Sequence, residues 1–371
     1  MSLHTMSHSL PRILCLTDAC DRPETELFIG LKQAGFDIAV MCNPKGPNYE
    51  RLQQAGLVAG PIALTGRFDK VGTRAIRRQL DKQPCDIIHA YNPRALACAL
   101  RASKGTDIRI VAYRGVIGNV SFLNPESWLT FLHPRVSRIV CVADAIKDYL
   151  AGLHFLWLRL PPSRLQRIYK GHDLSWYQAE PADLSAFKVP EGAFVVCCTG
   201  RDVPRKGFDV LVSAVASLPA EIEVHLVLVG DVSNNEVLRT QVAEMPHPER
   251  AHFTGFRRDA PTIAAASDIF VLPSTSREGL PRAVIEAMAY GVPAIVTDVG
   301  GMPELVEDGV SGYVVPPNDS QALSEAIVRL YRDRHALRRM GGAARQHIEQ
   351  DFNTSQTVLE TGELYKALVD R

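Results

Sequence analysis

The sequence lacks most of the signatures that settle a chemistry at sight. It holds no G-x-G, which excludes the dinucleotide fingerprint, and no P-loop, H-E-x-x-H or G-x-S-x-G. No D-x-D tripeptide occurs, so the simplest carboxylate clamp for a metal-bound diphosphate is missing and an anionic ligand would need protein cations. The eight cysteines form no C-x-x-C pair and no zinc-like spacing with histidine, which fits a reducing cytosol. Cys197 and Cys198 lie in an apolar run and read as small core residues. No apolar run approaches the roughly 18 residues of a membrane span. The longest candidate, Leu153 to Leu160, is broken by His154 and Arg159. No apolar core of signal-peptide length precedes Pro11 and Arg12, so secretion is not expected.

What is present is the composition of an ordinary globular protein: 371 residues, 46% hydrophobic and 22% charged. That length predicts two domains or a little more. The formal net charge is zero, but residues 1–190 carry 24 Lys+Arg against 16 Asp+Glu, and residues 191–371 carry 17 against 25. The halves present different surfaces.

Apolar runs of strand length alternate with helix-period stretches throughout, the pattern of parallel α/β units. Strands of a first sheet are expected at 12–17, 37–42, 86–90, 109–113 and 138–142, with crossover helices such as 24–34 and 93–103. A second series is expected at 194–199, 224–230, 252–255, 268–272, 294–297 and 312–315. The predicted domains are 1–170 and 193–354, joined by a linker at 171–192 that has prolines but no strong period. Two such open sheets would face each other across a cleft at their strand carboxyl ends, where ligands of these folds bind.

Two segments concentrate chemistry. Ser274 to Gly291 follows a predicted strand, with Pro281 expected as the first helical residue and Gly291 just past the last. That helix start would suit a phosphate, and Glu278 and Glu286 would suit sugar and ribose hydroxyls. The alternative is an exposed Arg282–Glu286 pair with Glu278 as a cap. Thr199 to Gly207 places Arg201, Arg205 and Lys206 before an apolar helix, where a dipole disfavours cations unless an anion is held there. Gly200 and Gly207 let the backbone come close, so Arg201 and Lys206 read as ligand contacts and Arg205 as part of a solvated charge run.

Glu278 and Glu286 with seven residues between them, G-R-x-x-x-x-K-G at 200–207, H-F-T-G-F at 252–256 and G-G-M-P-E-L-V at 300–306 together resemble the retaining glycosyltransferases of family 4. The H-D-L after Gly171 resembles that family's linker. The resemblance implies an α/β GT-B fold, two Rossmann-like doubly wound domains facing a deep cleft, with acceptor bound by the N-terminal domain and nucleotide sugar by the C-terminal one. It implies that Arg201 and Lys206 hold the donor diphosphate, Glu278 the sugar hydroxyls and Glu286 the ribose. Gly255 and Phe256 would lie beside the base, and Gly200, Gly207, Gly230, Gly279 and Leu280 would complete the donor site. It also implies that a helix at about 355–371 returns to the N-terminal domain.

The N-terminal half departs from the family pattern. Asp18-Ala-Cys-Asp21 stands where relatives carry a Gly-Gly loop, and Tyr113-Arg114-Gly115 where many carry a cleft histidine. Asp18 could orient an acceptor hydroxyl or act covalently, and Arg114 could meet phosphate or an acidic acceptor; the alternative is a salt bridge between them. His89 and Asn92 end another strand on the acceptor side, with a structural role the expectation for His89. The activity so implied is metal- and cofactor-free transfer of a hexose-like unit from a nucleoside diphosphate sugar to a glycan or lipid-linked acceptor, in polysaccharide or lipopolysaccharide assembly. Rivals are a sugar-nucleotide epimerase and a catalytically silent sugar-nucleotide-binding subunit. The expected setting is cytoplasmic, with weak contact of the basic N-terminal half to anionic membranes and no nucleic-acid partner.

Overall fold

The computed structural model describes residues 10–18 and 20–369. The chain forms two compact units, one running up to Gly171 and resuming at Thr354, the other spanning His172–Asn353. The first unit holds strands β1 (Arg12–Leu16), β2 (Asp37–Cys42), β3 (Val58–Pro61), β4 (Ile87–Ala90), β5 (Arg109–Arg114) and β6 (Val136–Cys141). A small antiparallel hairpin follows, β7 (His154–Phe155) with β8 (Leu158–Arg159), and then β9 (Leu165–Arg167). Its crossovers carry α1 (Arg22–Gln33), α2 (Tyr49–Gln54), α3 (Lys70–Lys82), α4 (Pro93–Ala102), α5 (Pro125–Trp128) and α6 (Asp144–Ala151). The parallel sheet has the order β3-β2-β1-β4-β5-β6-β9.

The second unit repeats the plan. Strands β10 (Phe194–Thr199), β11 (Val224–Val229), β12 (Ala251–Gly255), β13 (Ile269–Leu272), β14 (Ala294–Thr297) and β15 (Gly312–Val315) form a parallel sheet in the order β12-β11-β10-β13-β14-β15. Around it lie α7 (Phe208–Ala216), α8 (Glu236–Ala243), α9 (Ala260–Ala265), α10 (Arg282–Ala289), α11 (Met302–Leu305), α12 (Ser320–Arg332) and α13 (Arg334–Asp351). The last helix, α14 (Thr354–Val369), belongs to the first unit, where it packs on α1.

The strands form where they do because they are apolar on both faces, as a sheet covered by helices on either side requires. In β10 the run Phe194–Cys198 is buried throughout. Helix starts follow from capping: Asp21 Oδ1 accepts from Glu24 N–H at 3.0 Å, and Asn92 Oδ1 from Ala95 N–H at 2.9 Å ahead of Pro93. Both sheets reverse strand order at one point, between β1 and β4 in the first unit and between β10 and β13 in the second. Doubly wound sheets open their binding crevice at that reversal.

Differences from the sequence reading are local. Strands β3 and β9 were not expected: β3 is only half-buried and holds Gly60 and Pro61, while β9 is the three residues Leu-Gln-Arg. Residues 172–192, read as a linker, pack within the second unit. His172 N–H donates to Phe352 O at 2.7 Å, and Tyr177 meets Tyr290 ring edge to face at 5.7 Å. All eight cysteines are free thiols, seven of them buried, and burial pushes Cys197 up to about 12 and Cys42 to about 11. The seven buried ones are core residues.

Candidate active site

The site in the second unit is built at the switch point from two loops. After β10 the chain turns through a 3-10 segment, Pro204–Lys206, and Gly207 then enters α7 with φ of 68°. A Cβ at Gly207 would lie 2.1 Å from Pro273 O, so only glycine permits this turn. The turn delivers its two cations to one place. Lys206 Nζ stands 2.8 Å from Glu278 Oε1, and Arg205 Nη1 stands 2.9 Å from the same oxygen.

Glu278 lies on the loop that leaves β13, and its residue is 6% exposed. Ser274 Oγ also donates to its Oε1 at 2.9 Å, and Ser274 is itself fixed by Thr297 Oγ1, which donates to Ser274 O at 2.5 Å. A buried carboxylate is tolerable only when paired and hydrogen-bonded in this way. Gly300 closes the arrangement from the next strand end: its φ is 61°, and a Cβ there would lie 2.1 Å from Glu278 O. Arg205 is therefore not part of a solvated charge run. It shares a carboxylate with Lys206.

The other donor-side candidates take places around this cluster. Gly200 N–H donates to Val229 O at 3.0 Å and Gly230 N–H to Gly255 O at 2.9 Å, so three neighbouring strand ends are stitched together by glycine backbone. Phe256 follows Gly255 with 70% of its surface exposed, Gly279 is buried and Leu280 is half-buried. Arg201 is exposed, and its side chain has no hydrogen bond or ion pair among the described residues. Pro281 is the N-cap rather than the first helical residue, with ψ of 117°; α10 starts at Arg282, and Gly291 follows its end with φ of 82°. Glu286 sits on the fifth residue of α10 and pairs with Arg282 at 3.1 Å.

The first unit brings two of its four candidates, Asn92 and Arg114, to one cavity and sets Asp18 and His89 apart from them. Asp18 follows β1 and pairs with Arg94 Nη2 at 2.9 Å, not with Arg114. Burial raises its pKa, and Arg94 opposes that rise. Arg114 ends β5, is buried, and donates from Nη2 to Gly118 O while its guanidinium lies 4.8 Å from the Phe131 ring centre. Asn92 is the cap of α4 described above, and it lines a cavity of 370 Å³ together with Arg114. His89 is elsewhere, in the core: Nδ1 meets Tyr365 Oη of α14 at 2.7 Å, and burial lowers its pKa to about 3.

One cluster was not singled out in the sequence. Lys170 Nζ stands 2.5 Å from Asp21 Oδ2 and 3.2 Å from Glu24 Oε1, and Thr17 Oγ1 donates to Glu24 Oε2 at 3.0 Å. Burial works against the charged form of Lys170, but Tyr113, Glu24 and Asp21 overcome it and its pKa is raised. Burial raises that of Glu24, with Lys170 opposing. The only available signal was a lysine beside Gly171 and an acidic pair opening α1. Among the described residues no three His, Cys, Asp or Glu side chains converge as a metal site would require. None of the described helices is long and apolar enough to cross a membrane.

Two doubly wound parallel units, the second carrying its cations at glycine-lined strand ends, have the architecture of the GT-B glycosyltransferases. A glycosyltransferase structure from Rickettsia africae superposes with a TM-score of 0.81 at 18% identity, over 98% of this chain and all of that one. HepE from Anabaena, solved in complex with UDP-glucose, gives 0.75 at 24% identity over 96% and 100%. The chain belongs to the group 1 glycosyl transferases: the model for "Glycosyl transferases group 1" matches residues 181–347, and that for "Glycosyltransferase Family 4" matches 25–176. It is similar to the Escherichia coli UDP-Gal:alpha-D-GlcNAc-diphosphoundecaprenol alpha-1,3-galactosyltransferase, at 25% identity over 96% of each chain. A Mycobacterium tuberculosis GDP-mannose-dependent alpha-(1-6)-phosphatidylinositol monomannoside mannosyltransferase is 31% identical over 51% of this chain and 52% of its own. Such relatives are glycosyltransferases of polysaccharide, lipopolysaccharide and glycolipid synthesis, which does not favour the epimerase or silent-subunit readings.

Proposed function

We propose that this chain is a cytoplasmic, metal-independent, retaining glycosyltransferase that moves a hexose-like unit from a nucleoside diphosphate sugar to a glycan or lipid-linked acceptor in polysaccharide or lipopolysaccharide assembly. The observation that carries this reading is the cluster at Glu278. Two cations against one carboxylate leave it net positive at a switch point, which is the charge a departing diphosphate needs. Lys206 and Arg201 take the diphosphate, with Arg205 beside them. Glu278 accepts from sugar hydroxyls and Glu286 from the ribose. As the glycosidic bond breaks, negative charge gathers on the diphosphate, and the leaving phosphate guides the acceptor hydroxyl to the same face of the sugar. The hydroxyl proton passes to a phosphate oxygen, so no side-chain nucleophile is used.

The first unit takes the acceptor in this scheme, and its weak contact with anionic lipid rests on exposed apolar tips. Leu156 and Trp157, 66% and 82% exposed, form the turn of the β7–β8 hairpin beside Arg159. The donor reading is tested by thermal shift with a panel of nucleoside diphosphate sugars. A bound donor at 100 times its dissociation constant adds about 2.7 kcal/mol of stability. No shift with any member of the panel would sink the assignment.

A further inference from the structure

Arg114 is the buried cation of the first unit that the proposed chemistry leaves unexplained. Its residue is 6% exposed, and among the described residues no carboxylate lies within ion-pair distance of it. One edge of its guanidinium is used by Gly118 O and its face by Phe131, but Nε has no hydrogen-bond partner. A buried cation without a counter-ion is unfavourable, and an oxyanion held in the cavity that the side chain lines relieves it. The side chain also stands in the right place. It ends β5, one strand from the switch point, and lines the 370 Å³ cavity together with Asn92, Asn119, Ser127 and Thr130. That volume holds a sugar-sized group. Glu126, at the rim, is neutralised by Arg67, which lines the same cavity.

We propose that the Arg114 cavity is an oxyanion pocket that takes the phosphate or carboxylate of an acidic acceptor. This rests on the glycosyltransferase reading and deepens it by giving the acceptor a charge. A planar guanidinium favours carboxylate and phosphate oxygens, and the neutral amide and hydroxyl groups around it suit the ring that carries the acid. A neutral acceptor would leave Arg114 as costly as before.

The test is calorimetric titration of the full chain, saturated with UDP so that the Lys206 loop is engaged, using inorganic phosphate, glucuronate and glucose as probes. Wild type is expected to bind phosphate or glucuronate in preference to glucose, and which anion wins identifies the source of the oxyanion. Arg114→Met is expected to weaken that anion at least tenfold and Arg114→Lys by less. Glu126→Gln, at an exposed position, is expected to tighten it about threefold by freeing Arg67 and removing a like charge. Equal anion affinity in Arg114→Met and wild type, or preference for glucose, overturns the proposal. If Arg114→Met does not fold, an unchanged affinity in Glu126→Gln does so instead. Failure of UDP to bind excludes a UDP-linked donor without touching this proposal, and the Arg114 comparison is then made without UDP in a Lys206→Ala background.

Discussion

Glu24 in the first unit and Glu278 in the second are both buried carboxylates that take a lysine, yet the charge left over has opposite sign. Around Glu24, two carboxylates share the single cation Lys170. Around Glu278, Arg205 and Lys206 share a single carboxylate. The settings differ accordingly. The Glu24 group is closed over by Tyr113 and the start of α1, and the cavity beside it measures only 20 Å³, about one water. The Glu278 group is framed by glycine backbone at strand ends, where Gly207 and Gly300 let neighbouring loops pack within backbone contact. Burial and pairing thus follow one rule in both places, and the sign of the surplus charge sets the two clusters apart.

Acid should produce the largest effect, and it should act on the first unit's interior. His89, which lines that small cavity, is held neutral, with a folded pKa of about 3 against an ordinary 6.5. The unfolded chain therefore binds a proton that the folded chain refuses, and the stability this represents is present above pH 6.5 and lost as pH falls through that window. The loss is on the order of 4 kcal/mol by the bottom of it. His89→Gln should flatten the acid limb of the melting temperature between pH 6 and 4; an unchanged limb would remove His89 from the account.

Next in size, Lys170→Met should cost about 3 kcal/mol of stability, because it strands two carboxylates beneath Tyr113. Urea unfolding of the variant measures this, and a loss below about 1 kcal/mol would mean the Lys170 pairing is dispensable. Lys206→Ala should show the converse, with unfolding little changed and turnover lowered by a factor on the order of 100. Glu286→Ala should mainly raise the donor KM, since a ribose contact serves ground and transition states alike. Activity abolished by EDTA and restored by magnesium or manganese would contradict the assignment of diphosphate neutralisation to these cations. The smallest effect is expected at the β7–β8 tip, where Trp157→Ser should weaken binding to anionic vesicles at low salt by a few fold. Equal recovery on neutral vesicles would end that idea.

Most of the sheet architecture was legible because each central strand is a short apolar run buried on both faces. β10, β14 and β15 match their expected limits, while β3 and β9 are edge strands whose half-polar sequences carry no such signal. At the candidate site, spacing around Gly200 and Gly207 singled out Lys206, which the fold brings to Glu278, and Arg201, which it leaves exposed and outside that cluster. The partnership of Arg205 with Glu278 was not legible, because it joins residues 73 apart and periodicity speaks only of near neighbours. Lys170 and Glu24, 146 apart, were hidden for the same reason. The salt bridge weighed between Asp18 and Arg114 went instead to Arg94, because a strand-end position does not say which neighbouring side chain a carboxylate reaches.

Helix α14 gives the chain an unusual order of assembly on the ribosome. The second unit is one continuous stretch, whereas the first waits for its final piece: Tyr365 to meet His89, and Val358 to fill the space beside Gly30. At 5–20 residues per second, the roughly 200 residues after Gly171 take about 10–40 s to emerge. For that interval the earlier-born half carries an open apolar face, and the later-born half, complete at Asn353, can close before α14 is added. Nascent-chain protease protection should therefore appear in the second unit first, reversing the usual N-to-C sequence, and a chaperone that shields exposed apolar surface would be engaged with residues made well before the ones being added.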